Sequence, residues 1–496
     1  MKHSWLLDAL FTSISTTVLA AQNISPSGLL SGIDAIFAAI VSALEKVIFL
    51  SIGGMPLVVL WLLLGAIFFT FRMNFINIRA FPHAVKVVQG QYDNPNEPGE
   101  VTHLQALSAA LSATVGLGNI AGVAIAIQLG GPGVVFWMTL VGFLGMSSKF
   151  AECTLAQMYR INRPDGSLCG GPMHYLSRGL AEKGLRPLGK VLAGMFAVFC
   201  IGGAFGGGNM FQANQSFVGV AQVLPWFQER SWLYGIILAG LVGVVIIGGI
   251  RRIGAVAEIL VPAMCFSYIL AALWIILGNF SEIPAAIATI VREAFAPSAI
   301  GGGFVGVLVQ GVRRAAFDNE AGVGSAPIAH SAARTDEPIR EGIVALLEPF
   351  IDTIVVSNIT ALVIVITGVY KNAQFDGIQM TFNAFSTGIS WFPFLLSLAV
   401  FLFAFSTIIS WGYYGERAWA YLFGEHTLRV FQVLFVIGVF VGAVVNLKSV
   451  LNFGDMMILS MAFPNLLGCF LLSGKVTAAL DDYMQRLQAN KMPAYR

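Results

Sequence analysis

The sequence predicts an all-α integral membrane protein, and three observations predict it. Of its 496 residues 57% are hydrophobic and only 11% charged, with a mean hydropathy of +0.78, a composition that belongs to a chain largely embedded in lipid. About eleven apolar stretches reach the roughly 20 residues, at ~1.5 Å rise each, that a crossing needs. Two of these stretches are interrupted by small and polar residues, at "SATVGLGN" (112–119) and within "QGVRRAAFDNEAGVGSA" (310–326).

The elements follow in order. Residues 1–46 form an exported segment: "MKHSWLLDALFTSISTTVLAAQ" resembles a cleaved signal peptide, with Asp8 interrupting its apolar run, and 31–44 reads as a helix lying on the outer surface. The crossings are expected near 47–70, 104–127, 134–158, 191–221, 232–250, 256–278, 304–328, 342–369, 391–412, 429–447 and 449–473, making 47–473 one transmembrane domain followed by a cytoplasmic tail at 474–496. If the first crossing runs inward, the inner loops and tail carry 19 Lys and Arg against six outside, which places the N-terminus outside and the C-terminus inside. A net charge of +2 gives no electrostatic case for nucleic acid, so the expected partners are the bilayer and small solutes. Cys153, Cys169, Cys200, Cys265 and Cys469 lack metal spacing and read as small buried hydrophobes.

The first interrupted crossing and four more precede the second interrupted crossing, which opens another five. An odd number of crossings reverses direction. The pattern is therefore a 5+5 inverted repeat (about 104–278 and 304–473), with discontinuous first and sixth core helices and one extra N-terminal helix, the arrangement of a transporter with its site between the breaks. Unwinding at Gly116 and Gly118 would free amides where the helix dipole favours an anion, and carbonyls suited to a hard cation; Thr114 and Asn119 flank them. The alternative is close helix packing on small residues. Asp318, Asn319 and Glu320 are the densest polar cluster at membrane depth, a functional hypothesis by position, with an internal Arg314–Asp318 pair as the alternative. Asn209 and Gln212, three apart, share a helix face that turns either to a pocket or to neighbouring helices, and Gln215 follows on the same helix. Glu348 and Asp352 share a face across Pro349, and Lys149 with Glu152 reads as a mutually satisfied pair.

Five ordered blocks, "GLGNIAGVAIAIQLGGPGVVFWM", "CGGPMHYL", "GGAFGGGNMFQANQ", "RRAAFDNEAGVGSAPIAHSAA" and "FAFSTIISWGYYGERAW", resemble the alanine/glycine:cation symporter family over roughly 45–475. The resemblance implies a leucine-transporter-like fold and sodium-coupled uptake of alanine, glycine or serine across the plasma membrane, the inner membrane of a bacterium. It implies substrate binding at Gly116, Gly118 and Asn119, and a sodium site where Ser406 and Thr407 meet carbonyls near Ser112 and Val115. Trp411, one turn beyond Thr407, is expected to close the pocket, with a core or interfacial aromatic as the alternative, and the carboxylate chemistry of Asp318, apart from the resemblance, suits it to the substrate amino group. Val134, Val135 and Thr139 depart from the family pattern around "FWM", and Asp318 stands where a serine is more often expected, which bears on substrate or ion choice. No resident cofactor is implied; sodium is cargo. Proton coupling in the same fold is the nearest alternative. A membrane enzyme lacks the necessary HExxH, DDxxD or paired-His arrangement in the crossings, and a channel would more naturally show rings of charge or carbonyls.

Overall fold

In a computed structural model, residues 50–52, 54–162, 168–246, 249–296, 303–372, 374–388 and 391–495 are described. The signal-peptide-like stretch and the surface helix expected at 31–44 lie outside the described residues. Among the described residues the fold is helical apart from two short strand pairs, Ser51–Ile52 with Met55–Pro56 and Ile161–Asn162 with Leu168–Cys169.

The principal helices are α1 (Leu57–Arg72), α2 (His103–Thr114), α3 (Gly118–Gly130), α4 (Val134–Met158), α5 (Arg186–Val223), α6 (Ser231–Ile246), α7 (Gly249–Gly278), α8 (Ile283–Ala294), α9 (Gly303–Asn319), α10 (Pro338–Thr367), α11 (Ile378–Gly388), α12 (Phe392–Phe423), α13 (Leu428–Val444) and α14 (Leu447–Gln488). Among the described residues seven helices are long and apolar enough to cross a membrane, and α2 with α3 makes an eighth as one bent span. The protein is thus a multi-pass membrane protein. Its lipid-facing surfaces expose Val244, Ile259, Phe266 and Trp274, while the helices around the two breaks are enclosed.

Several elements differ from the sequence expectation. The apolar helix expected from near 47 is described from Leu57, where Pro56 sits at its N-cap and Ser51–Ile52 pairs with Met55–Pro56 just ahead of it. Helices α8 and α11 were not expected. α8 is short and amphipathic, with Ala286 and Ala294 buried and Ile287 and Val291 exposed, and it is tied to the bundle by Trp137 Nε1 donating to the Ala294 carbonyl at 3.0 Å. The last crossing continues as helix through Gln488, where Arg486 pairs with Glu337 at 2.6 Å, so most of the segment read as a tail is structured.

Both breaks are present. α2 starts on a capping box in which Thr102 Oγ1 accepts from the Gln105 amide (3.2 Å) and Gln105 Oε1 from the Thr102 amide (3.1 Å). It ends at Val115, whose ψ of 88° leaves the helical range, and α3 departs at 46° through a widened turn at Gly118–Gly122. α9 ends at Asn319; Glu320, Gly322 and Gly324 take positive φ before a single turn at Pro327–His330. The crossings run antiparallel. Val101 bridges Ala333 at one end, Gly118 approaches Asp318 in the middle, and Gly130 meets Gln310 at the other.

Close approach elsewhere rests on glycine. A Cβ at Gly442 would lie 2.4 Å from the Met210 Cα, whereas one at Gly240 would meet nothing within 4 Å. Gly442→Val should therefore destabilise by at least about 1–3 kcal/mol, and Gly240→Val by under about 0.5 kcal/mol, in thermal unfolding of the detergent-solubilised protein.

Candidate functional site

The first break is held by side chains. Asn119 Oδ1 accepts from the Gly116 amide (2.9 Å) and Gln212 Oε1 from the Leu117 amide (3.1 Å), so two of the main-chain donors freed at the break are already satisfied. Asn119 Nδ2 is spent on the Asp352 carbonyl (3.2 Å), Asp352 Oδ1 (2.7 Å) and Ser357 Oγ (3.1 Å). Its side chain is a cap and a tie, so any ligand role at this position falls to the main chain. Gly116 and Gly118 keep negative φ; what they supply is room. A Cβ at Gly116 would lie 2.4 Å from Thr407 Oγ1, and one at Gly118 2.8 Å from Asp318 Oδ1.

The second break has its own supports. Asn319 Oδ1 accepts from the Ala321 amide (2.9 Å) and Asn319 Nδ2 reaches Thr353 Oγ1 (2.9 Å). Glu152 Oε1 accepts from the Gly322 amide (2.7 Å), while Asn465 Nδ2 bridges Glu152 Oε2 and the Gly322 carbonyl, each at 2.9 Å. Glu320 accepts from the Ser325 hydroxyl across the same loop. Asp318 is buried, with Oδ2 taking the Ser357 hydroxyl at 2.5 Å and Oδ1 left without a hydrogen-bond partner, facing Gly118.

Beside the first break an uncharged oxygen cluster joins α2 to α12. Thr407 Oγ1 donates to the Ser112 carbonyl (3.0 Å), Ser112 Oγ to the Ser406 carbonyl (3.0 Å), and Ser410 Oγ to Ser112 Oγ (2.9 Å). Ser406 thus faces the cluster with its carbonyl, while its hydroxyl donates back to the Phe403 carbonyl (3.0 Å). Val115 ends α2 beside these atoms. Ser410, one turn beyond Ser406, is a member that sequence reasoning missed, although the i, i+4 spacing carried the signal.

Other candidates lie elsewhere. The Thr114 hydroxyl bonds back to the Ala110 carbonyl (3.3 Å). Asn209 and Gln212 do not share a face, because the widened turn at Gly206–Met210 rotates one against the other: Asn209 Nδ2 donates to the Phe435 carbonyl (2.7 Å) in α13, while Gln212 faces the break. Gln215 ties the Ile378 amide (3.0 Å). Trp411 is buried against Gly208, where a Cβ would lie 2.2 Å from its ring, and edge-on to Tyr414 at 5.5 Å.

Three charge readings are corrected. Lys149 pairs with Glu348 (3.1 Å), not with Glu152, which serves the second break. Arg314 pairs with Asp455 on α14, not with Asp318. Glu348 and Asp352 diverge because residues 350–357 form a wide turn of helix after Pro349: Glu348 goes to Lys149 and His330, and Asp352 to Asn119. Sequence reasoning also missed a buried chain at the end of α2 remote from the break, in which Glu341 bonds His103 and His330 (2.5 Å) and His330 faces Glu348 (3.4 Å). Two histidines flanking the interrupted crossings were the available signal.

Two antiparallel broken crossings, enclosed by apolar helices and lined at their meeting point by capped main chain, a bare carboxylate oxygen and hydroxyls, define a membrane transporter rather than an enzyme. The chain belongs to the sodium:alanine symporter family, whose family model matches residues 35–496. It is 42% identical to the sodium/alanine symporter AgcS of Methanococcus maripaludis over 84% of this chain and 92% of that one. It is 35% identical to the amino-acid carrier protein AlsT of Bacillus subtilis over 88% of this chain and 91% of that one. Among solved structures, MhsT in complex with L-phenylalanine matches 77% of this chain and all of its own, with a TM-score of 0.49 and 12% identity.

The Lys149–Glu348 pair is fully buried, and removing one partner strands the other. Lys149→Met should cost about 3–5 kcal/mol in denaturant unfolding, and the double variant Lys149→Met/Glu348→Leu should recover a large part of that loss.

Proposed function

We propose that the protein is a sodium-coupled symporter of small neutral amino acids, alanine first and then glycine and serine, working by alternating access. The observation that carries the reading is the meeting of the two breaks at Gly118 and Asp318, where opposite ends of a zwitterion find complementary groups. The substrate carboxylate binds at the main-chain amides of Gly118 and Asn119, on the N-terminal end of α3, whose dipole favours an anion. The ammonium binds Asp318 Oδ1. Membership of the sodium:alanine symporter family and the names of the relatives support the substrate class and the coupling ion.

Sodium occupies the oxygens of Ser112, Ser406, Thr407 and Ser410, joined by the Val115 carbonyl. Neutral carbonyls and hydroxyls are the hard ligands such an ion takes, and this set spans α2 and α12, so an occupied site fixes one against the other. The antiparallel run of the broken crossings supports the inverted repeat of five and five, with α1 outside it, in the leucine-transporter-like manner. The excess of basic residues in the alternate loops supports an outside N-terminus and a cytoplasmic C-terminus in the plasma membrane. Trp411, packed on Gly208, and Phe317, beside Gly207, narrow the space next to the breaks and favour a small side chain.

Reconstituted in proteoliposomes, the protein should take up alanine in a saturable, sodium-dependent manner, and glycine and serine should compete better than leucine. Uptake independent of sodium, or driven equally by a pH gradient alone, contradicts the reading. Thr407→Ala removes one ligand worth about 1–1.5 kcal/mol and should raise the sodium concentration for half-maximal uptake by roughly tenfold. An unchanged sodium curve takes Thr407 out of the site.

A further inference from the structure

Far from the breaks, the surface between α6 and α13 opens into a groove of about 430 Å³, within the ~300–1,000 Å³ of ordinary ligand sites. Gly243 of α6 lines it and leaves it room: a Cβ there would meet only Val436, at 3.6 Å. From α13, Val433, Val436 and Ile437 supply its apolar length, with Val433 60% and Ile437 52% exposed. Arg429 and Gln432 line its end, in the first turns of α13. The charge at that end is unanswered. Arg429 is exposed and has no ion-pair partner among the described residues. Two neighbouring carboxylates are engaged elsewhere: Gln432 Nε2 donates to the buried Glu416 Oε1 at 2.6 Å, and Glu425 faces Arg417 at 3.8 Å. Thr427, at the N-cap of α13, donates its hydroxyl to the Gly424 carbonyl at 2.8 Å and accepts from Trp419 Nε1 at 2.9 Å. No side chain therefore caps the first turn of α13, whose dipole adds to the positive charge of Arg429.

An apolar slot on a membrane helix, ending in an unanswered cation, fits a molecule that joins an acyl chain to an anion. We propose that the groove between α6 and α13 seats one anionic phospholipid, its acyl chain along Val433, Val436 and Ile437 over Gly243 and its phosphate against Arg429. A zwitterionic lipid offers the same chain but brings a cation of its own to Arg429, so the seat discriminates by charge. The lipid braces α13, whose Phe431 ring packs on Gly415 of α12 and whose Phe435 carbonyl holds Asn209 of α5. The inference goes beyond the symport reading and stands without it.

The test reconstitutes the purified full-length protein in vesicles of equal phosphatidylglycerol and phosphatidylcholine with matched acyl chains, extracts it in detergent, and counts the lipid retained per chain by intact mass spectrometry. The wild type should keep one phosphatidylglycerol in preference to phosphatidylcholine. Arg429→Gln should reduce that preference about fivefold, the ~1 kcal/mol that one basic residue contributes at an anionic surface. Gly243→Leu, which fills the groove and keeps the charge, should lose the retained lipid. Equal retention of the two lipids by the wild type, an undiminished preference in Arg429→Gln, or a lipid still held by Gly243→Leu each overturns the seat. A dimer in place of retained lipid overturns it too, giving the groove to a second copy of the chain. Arg429 is exposed, so its variant decides the matter even if Gly243→Leu fails to fold.

Discussion

Unwound main chain inside a membrane has no water to turn to, and satisfying it from within is the constraint on which the rest of this structure depends. At the first break Asn119 and Gln212 supply acceptors to the Gly116 and Leu117 amides; at the second, Asn319 and Glu152 supply them to Ala321 and Gly322. Each of these side chains arrives from, or is anchored to, a helix packed against the breaks. Asn119 is fastened to α10 through Asp352, Gln212 rides on α5, and Glu152 on α4 is fixed by Asn465 of α14. The breaks are therefore open only because the helices around them are placed as they are.

That constraint explains where the buried charge went. Glu152 faces a backbone amide and an Asn amide rather than the nearby Lys149, because an unsatisfied Gly322 amide in a dry interior would cost as much as a lost hydrogen bond. Lys149 then turns to Glu348, which also meets His330, and Glu341 joins His330 to His103 at the start of α2. The result is a polar chain tying α4, α10, the turn after the second break and the start of the first broken crossing. In the alternating-access cycle proposed above, a rocking bundle would break this chain or carry it along.

Much of this was legible in the residues. The breaks, the long apolar helices at 134–158, 186–223, 252–278, 338–367, 392–423 and 450–488, and the Ser112–Ser406–Thr407 meeting follow from apolar length, glycine and hydroxyls at membrane depth, and ordered motifs. The misreadings have physical causes. Asn209 and Gln212, and likewise Glu348 and Asp352, were placed on shared faces by a regular helical period, and in both places a wide turn adds rotation that a regular period cannot foresee. Lys149 with Glu152 and Arg314 with Asp318 were paired by local spacing, whereas partners on other helices, Glu348 and Asp455, won. Gly116 and Gly118, read first for unwinding with close packing as the alternative, serve close approach to Thr407 and Asp318, neighbours that lie in distant parts of the sequence.

The central claim is that the two breaks face each other and together hold a zwitterion. An experimental structure determined with L-alanine bound tests it most directly. The account predicts the ligand between Gly118 and Asp318, its carboxylate against the amides that open α3 and its ammonium within hydrogen-bond reach of Asp318 Oδ1. Alanine bound away from both breaks, or bound with its ammonium turned from Asp318, would contradict it.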